Sequence, residues 1–565
     1  MNKTYPLYED RFEKGLDGLW DFVFWDESIA PVLSEFLPDG VAYDSHQLVP
    51  GVFDATIPLA GKRGIGVYRT TFRLERGGRH LLRCGGFLLA ASVFIDGARI
   101  GLSDLPYSYV DFEFVAEAGS HEIVIAVDNR FQATPLWNPC YDFYAYGGVL
   151  RGLSVSAIPE SAIERCAVTP LDLAGHVRLS LCFDRAVPDG ELEITFGFDD
   201  GEMTSAKVAV KGGGAVLDAV VPDPTLWTPE SPNLHTVTVR TSTCSVTERF
   251  GIRTVKAEKG RILLNGHPVK LLGYNRHESH PDFGAATPRQ LQLQDLQLLR
   301  NAGCNFIRGS HYPQDEGFLD LCDATGILVW EESLAWGNQQ EQLADRVFFD
   351  HQVEQTDLMV RRAINHPSVI IWGFLNESAS DFPQARPLMK ALSDTIRSID
   401  SSRLVSWASN RYEKDICLEF ADVISFNLYP GWYDCACDDI CPTHLVAPAL
   451  KKLEDFASGP LYADKPLLIS EIGAAAIYNN HDRLGSQWSE EYQAALLTEV
   501  CDYIVKSDRI CGVSLWMFAD SRSYVFGLNR VRGFNNKGSL DEYRRPKLGY
   551  DAVANSFTHA AKYLD

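Results

Sequence analysis

Two glutamates stand at the ends of long apolar runs: Glu377 closes VIIWGFLNE and Glu471 closes PLLISE. A carboxylate at the end of a run that reads as buried is costly unless something pairs with it. A lone glutamate there could cap a helix or face solvent. Two such residues together point to acid–base and nucleophilic chemistry, with one general acid and one nucleophile about 5–5.5 Å apart as in a retaining glycosidase. Other polar residues end apolar runs in the same way. Asn376 precedes Glu377, Arg308 and His311 follow NFI, Tyr429 and Tyr433 follow VISFN, and Trp516 and Asp520 follow CGVSL.

What must position them is a set of strands sharing one polar end. From residue 257 to 565, strand-like runs alternate with amphipathic stretches of helical period. The strands are expected in VKLLGYNRH, NFIRGSH, ILVWEES, SVIIWGFLNES, LVSWAS, VISFNLYP, PLLISEIGA and CGVSLWMFAD. Helices are expected in TPRQLQLQDLQLLRNAG, VEQTDLMVRRAINH, SEEYQAALLTEVCDYIVK and GYDAVANSFTHAAKYL. Eight such units predict a TIM (β/α)8 barrel, with its chemistry at the C-terminal ends of the strands.

The preceding residues have a different rhythm. Residues 1–160 contain short β-branched runs such as GVYRTTFRLE, ASVFIDGARIG and HEIVIAVDNR, broken by Gly, Asp and Pro. They predict an antiparallel, jelly-roll-like sandwich. Residues 161–256 repeat the pattern in a smaller unit (HVRLSLCFD, ELEITFGF, AKVAVKG, LHTVTVRTST), which predicts an immunoglobulin-like sandwich. A chain of 565 residues is too long for one ordinary domain, and three is the number its length suggests.

Composition removes several function classes. With 45% hydrophobic and 22% charged residues the chain is globular rather than disordered. Its 52 Lys and Arg against 75 Asp and Glu give a formal charge of −23, which argues against nucleic acid or an anionic membrane surface as partner. Because exposed charges are screened beyond about 8 Å, a few local cations can still receive a small anion. No run reaches the ~18 apolar residues of a membrane helix, and MNKTYPLYEDRFEKG lacks a signal-peptide core, so a cytoplasmic protein is expected. The 13 cysteines are mostly set in apolar runs and read as reduced thiols. Cys435, Cys437 and Cys441 cluster, but a zinc site needs four ligands and only His444 lies nearby, so no metal is expected. No phosphate loop or dinucleotide fingerprint is present, and no cofactor is expected.

Three long segments resemble the signatures of glycoside hydrolase family 2: NFIRGSHYPQDEGFLDLCDATGILVWEE, INHPSVIIWGFLNES and KPLLISEIG. The order sandwich, immunoglobulin-like module, barrel matches as well. The resemblance implies Glu377 as acid/base, Glu471 as nucleophile and Asn376 as a partner of the sugar 2-hydroxyl. Asn535-Asn536-Lys537-Gly538 resembles the Asn-x-Lys motif by which the family's β-glucuronidases hold a uronic acid carboxylate, and positions i and i+2 of an extended segment share a side. NLYPGWY resembles a segment with two sugar-contacting tyrosines, here Tyr429 and Tyr433. YDFYAYGGVLR resembles a sandwich loop that sends an aspartate, here Asp142, into the barrel mouth. Arg530 and His311 match a pocket arginine and a sugar-binding histidine, and Trp516 closes strand eight. Family members are often dimers or tetramers, so a homo-oligomer is an expectation of the resemblance alone.

The sequence departs from the pattern at Gly309, at Ile472 after the nucleophile, and at Phe534, which reads as an insertion between Arg530 and Asn535. The segment ESLAWGNQQEQ after strand three is short, which implies an open entrance that admits larger glycosides. The expectation is a cofactor-independent, retaining exo-β-glucuronidase acting on a small β-glucuronide or a uronic-acid-containing oligosaccharide. A β-galacturonidase using the same clamp, a neutral-sugar β-galactosidase and a catalytically silent carbohydrate-binding protein are the alternatives.

Overall fold

The computed structural model describes residues 5–184, 187–433, 439–523 and 530–560. Cys435 and Cys437 of the cysteine cluster lie outside them.

Two antiparallel sheets make the first sandwich. A six-stranded sheet centres on the pairing of Gly64–Leu74 with Gly119–Asp128, and a four-stranded sheet packs over it through Phe22, Tyr68, Leu82, Val93, Ile125 and Val155. Alternation along Gly119–Asp128 gives way to continuous burial over its last six residues, because a second core containing Phe36, Val67, Phe94 and Val124 covers its other face. The next unit packs a three-stranded sheet (Ile163–Pro170, His176–Phe183, Gly214–Val220) on a four-stranded one, with seven strands around Val168, Leu179, Ile194 and Val237. Trp227 donates its indole N–H to the Asp323 carbonyl at 2.9 Å, and Arg253 donates to the carbonyls of Pro367 and Val369, which fixes this region to the barrel.

Numbering the barrel elements alone, the strands are β1 (Leu271–Arg276), β2 (Phe306–Gly309), β3 (Leu328–Glu332), β4 (Val369–Gly373), β5 (Leu404–Ser406, resumed at Ala408–Ser409), β6 (Ile424–Asn427), β7 (Leu467–Glu471) and β8 (Ile510–Leu515). All pair in parallel, and the ring closes through β5, whose first piece pairs with β4 and whose second pairs with β6. Each strand is buried on both faces, as the apolar runs require.

Besides a short helix at Gln340–Ala344, the helices are α1 (Arg289–Asn301), α2 (Glu316–Thr325), α3 (Arg346–Ala363), α4 (Ala385–Ile399), α5 (Val446–Ala457), α6 (Glu490–Lys506) and α7 (Leu548–Ala560). Buried Leu291, Asp295, Leu296 and Leu299 lie on one face of α1 at the spacing its period predicts. Asp315 caps α2, Asp345 caps α3 and Ser489 caps α6, each accepting a first-turn amide. One expected unit differs: β5 and β6 are joined by two 3-10 turns, Tyr412–Lys414 and Leu418–Phe420, with no α-helix. Asp415 explains this locally, since its side chain accepts from the Cys417 amide, the Ser380 hydroxyl and the Trp407 indole, which favours a turn over a helix. Among the described residues no helix is long and apolar enough to cross a membrane.

The sandwich reaches over the barrel mouth. Leu136, Tyr141, Phe143 and Tyr146 belong to the same apolar cluster as barrel residues Tyr274, Tyr312 and Phe374, and the Tyr144 amide donates to the Arg522 carbonyl at 3.0 Å.

Candidate active site

The C-terminal ends of the strands converge on a cavity of about 430 Å³ lined by Asp142, Trp336, Glu377, Asn410, Tyr412, Asn427, Tyr429, Tyr433, Glu471, Trp516, Arg530, Asn535 and Lys537. Nearly every residue expected at the site is therefore brought to one place. His311 and Asn376 are fully buried beside it, in the hydrogen-bond network of its floor.

That network centres on Arg308, at the end of β2. Its Nε and Nη2 donate to both oxygens of Glu332 at 2.8 and 2.9 Å, Nη1 donates to Glu471 at 3.0 Å and to Asn275, and Nη2 also donates to Asn376. Both Nη2 hydrogens are thus used by oxygens, so His311 Nδ1, 3.1 Å from Glu332, carries its own proton and donates it there. Its Nε2 is left as a bare acceptor, 3.9 Å from Glu471 and without a hydrogen-bond partner among the described residues. Burial lowers the His311 pKa to about 4, so the ring is neutral. Trp516 stacks on it at 5.2 Å.

Asn376 accepts from Arg308 and from Asn427 Nδ2, while its own Nδ2 has no partner among the described residues. A buried amide donor without a partner is a cost in the free protein. It is ready to meet a hydroxyl. Glu377 accepts from Asn427 Nδ2 at 2.9 Å, and its backbone sits at φ 51°, in the left-handed region. Leu375 has φ 52°, so the turn after β4 holds two non-glycine residues in sparsely populated backbone. Glu471 accepts from Arg308 on one oxygen and from the Tyr429 hydroxyl, at 2.6 Å, on the other. Burial, and then the charge of Glu377, raise the pKa of Glu471, and burial raises that of Glu377 as well, so the two carboxyls compete for one proton. The pair holds one proton near neutral pH.

The far wall is made by the sandwich loop and the segment after β8. Asp142 is clasped by Arg530, with Nε at 2.7 Å, and accepts from Asn535 Nδ2 at 3.1 Å and from the Ser523 hydroxyl. Lys537 is only 2% exposed, donates to the Tyr433 hydroxyl at 2.8 Å, and lies 4.9–5.5 Å from the rings of Tyr429, Trp432 and Tyr433. Among the described residues no carboxylate is within ion-pair distance of it. Burial and the nearby Arg530 charge lower its pKa to about 7. The segment is held from behind by Asp520, which accepts from Lys547 at 2.8 and 2.9 Å, from Asn536 and from the Gly538 amide. A Cβ at Gly538 would collide with the Asp520 backbone, so only glycine fits there.

The three departures have places in this geometry. A Cβ at Gly309 would lie 2.5 Å from Gln314, whose side chain fills that space. Ile472 is fully buried. Phe534 pairs with Arg522 in a short ladder, which sets Asn535 opposite Ser521. The sequence marks Arg308 as a strand-end residue but gives it no role, and it does not single out Glu332, Asn427, Asn275, Trp336 or Asn410. Asn275, Glu332 and Asn427 sit at or next to the ends of β1, β3 and β6, so the criterion that isolates Glu471 would have found them.

Away from the cavity, Asp320, Asp323 and His366 lie close enough to share a metal ion. Their oxygens are already engaged: Asp320 by Arg249, and Asp323 by His366 and Ser368. Against the effect of burial, the Asp323 charge raises His366 to about 9, so a cation already stands there.

Paired buried carboxylates at the mouth of a (β/α)8 barrel, overhung by a sandwich loop, are the architecture of a glycoside hydrolase. The chain belongs to glycosyl hydrolases family 2: the family's TIM barrel domain matches residues 255–553, and a second domain of the family matches residues 187–253. A β-glucuronidase of Rattus norvegicus is 33% identical over 424 residues, 72% of this chain and 63% of that protein. The match thus spans less than two thirds of that relative's length. A GH2 β-galacturonidase from Eisenbergiella tayi, solved bound to galacturonate, superposes with a TM-score of 0.88 at 32% identity and covers 99% of both chains. A Bifidobacterium dentium β-glucuronidase complexed with coumarin-3-O-glucuronide superposes with a TM-score of 0.87 at 26% identity over 97% of both chains.

Proposed function

We propose that the chain is a retaining exo-β-hexuronidase, with β-D-glucuronides as substrates. The observation that carries this reading is Lys537, a buried amine on the cavity wall whose pKa is lowered by burial and by Arg530 and which has no carboxylate within ion-pair distance among the described residues. A uronic acid supplies that carboxylate. Charge-assisted hydrogen bonds from Lys537 and Asn535 would contribute roughly 1.5–3 kcal/mol each. A neutral galactoside leaves the ammonium desolvated and unpaired, and is rejected.

The hydrogen bonds decide where the shared proton resides. Arg308 and Tyr429 both donate to Glu471 and favour its anion, whereas Glu377 receives one neutral amide donor. The proton therefore sits on Glu377. As Glu471 attacks the anomeric carbon, Glu377 gives its proton to the departing glycosidic oxygen, and the Glu471 charge is lost in the glycosyl ester. The pKa of Glu377 then falls, and it takes a proton from the water that attacks the same carbon. The ester bond breaks and Glu471 is released as a carboxylate. The unpartnered Nδ2 of Asn376 and Nε2 of His311 offer one donor and one acceptor to ring hydroxyls.

A second reading, a β-galacturonidase, is supported by the 32% identity to the Eisenbergiella tayi enzyme over essentially the whole chain. It keeps the mechanism and the carboxylate clamp and differs only at C4. The test is kcat/KM for aryl β-glucuronide, β-galacturonide and β-galactoside on the intact chain. Preference for the glucuronide supports the first reading, preference for the galacturonide the second, and turnover of the galactoside alone sinks the clamp.

A further inference from the structure

Taking the hexuronidase reading as its basis, we propose that the β3–β5 side of the cavity is a subsite for a neutral pyranose leaving group, built on Trp336 and Asn410. In a ring of eight strands β4 stands opposite β8. The uronate clamp follows β8, and Glu377, which protonates the leaving oxygen, follows β4. The leaving group must then lie against the loops that flank Glu377, those after β3 and β5, which bring Trp336 and Asn410 to the cavity wall.

Both residues are held in place for such a role. Trp336 forms a parallel bridge with Asn376, the next amide donates to the Asn376 carbonyl at 2.8 Å, and the indole meets Tyr141 edge-on at 6.4 Å. Its partly exposed ring is a fixed platform of the kind that stacks on the C–H face of a sugar. The Oδ1 of Asn410 is buried with no hydrogen-bond partner among the described residues, a cost that a donor on the ligand would remove. A sugar hydroxyl is such a donor, whereas a simple aryl aglycone has none. Charge selects between sugars. Arg411, the nearest cation in sequence, is turned to the Ser378 carbonyl at 3.3 Å and to Asp381 at 3.4 Å. Tyr412 spends its hydroxyl on the Asn427 carbonyl. This wall offers stacking and a hydrogen-bond acceptor, and the cation beside it, Arg411, is already paired with Asp381, so it suits a neutral ring and offers a second uronate no unpaired cation among the described residues.

The experiment compares a disaccharide of β-linked hexuronic acid on a neutral hexose with 4-nitrophenyl β-hexuronide. It uses the full chain and its Asn410→Ala, Trp336→Ala and Trp336→Phe variants. The expected result is that the disaccharide-to-aryl ratio of kcat/KM falls at least about tenfold in Asn410→Ala and Trp336→Ala, and less in Trp336→Phe. A ratio that stays within about twofold in Asn410→Ala, a variant that removes no packing core, overturns the subsite even if Trp336→Ala fails to fold. Faster cleavage of a disaccharide with a uronic acid as leaving group overturns its neutral character. If the unaltered protein hydrolyses neither uronide, the hexuronidase reading falls first and the subsite with it.

Discussion

Lys537 lies 2.8 Å from the Tyr433 hydroxyl inside a cage of three aromatic rings, an amine set deep in the protein. Its pKa in the free protein is lowered to about 7 by burial and by Arg530. On the hexuronidase reading a bound uronate restores the ammonium, and binding above pH 7 should then take up a proton. Calorimetric titration of a uronate inhibitor at pH 8, in buffers of different ionisation enthalpy, should show uptake approaching one proton, and the Kd should weaken about tenfold per pH unit above 7. Binding without uptake would mean that the carboxylate is held elsewhere.

The same amine should cost stability. A lysine whose folded pKa lies below its unfolded value opposes folding fully at pH below about 7, and the opposition fades as pH rises toward the ordinary lysine range. Lys537→Met should therefore raise Tm most at acidic to neutral pH while lowering kcat/KM for uronides by a factor of about a hundred or more. A fall in Tm would make Lys537 structural.

Much of this site is legible in the sequence because it obeys one rule, that a polar residue ending a buried barrel strand needs a reason. Glu377, Glu471 and Asn376 follow from it directly. Glu332 follows just as well, yet within VWEES two adjacent glutamates look alike, and only the fold shows Glu332 turned to Arg308 while Glu331 accepts from the Gln314 amide. Asp142 is beyond the rule, since its partners Arg530 and Asn535 lie nearly 400 positions away and the contact depends on how the sandwich is docked. The missing helix between β5 and β6 is hidden for a related reason: the bonds of Asp415 to Ser380 and Trp407 are tertiary.

Glu377 as acid/base predicts a leaving-group dependence. Glu377→Ala should lower kcat for an aryl uronide with a poor leaving group by about 10²–10⁴-fold. It should spare glycosylation by a dinitrophenyl uronide, whose leaving group needs no proton. Azide, which needs no base, should restore turnover and give a β-uronosyl azide. An α-azide, or no rescue, would contradict the retaining scheme.

Glu332 holds two nitrogens of Arg308, and this neutralises part of the charge that Arg308 presents to Glu471. In Glu332→Gln that charge acts on Glu471 undiminished, so the carboxylate ionises more readily. The acid limb of the kcat/KM–pH profile should move to lower pH, whereas Arg308→Met should move it to higher pH. A purely structural role for Glu332 would reduce activity at every pH without moving the limb.

Lys547 and Asp520 are both fully buried, and even when paired Asp520 is raised to about 6 by burial. Removing the cation leaves a carboxylate with only the Asn536 and Gly538 donors. Lys547→Met should destabilise the fold by about 3–5 kcal/mol, the usual cost of breaking a buried pair from one side. Adding Asp520→Asn should recover part of that loss, because no uncompensated charge then remains. Since Asp520 also anchors the segment carrying Asn535 and Lys537, the single variant should lose uronide binding at temperatures where the rest of the barrel is still folded. Inhibitor affinity measured alongside Tm reads this out. Equal destabilisation of the single and double variants would show that packing by Lys547, and not its charge, supports the clamp.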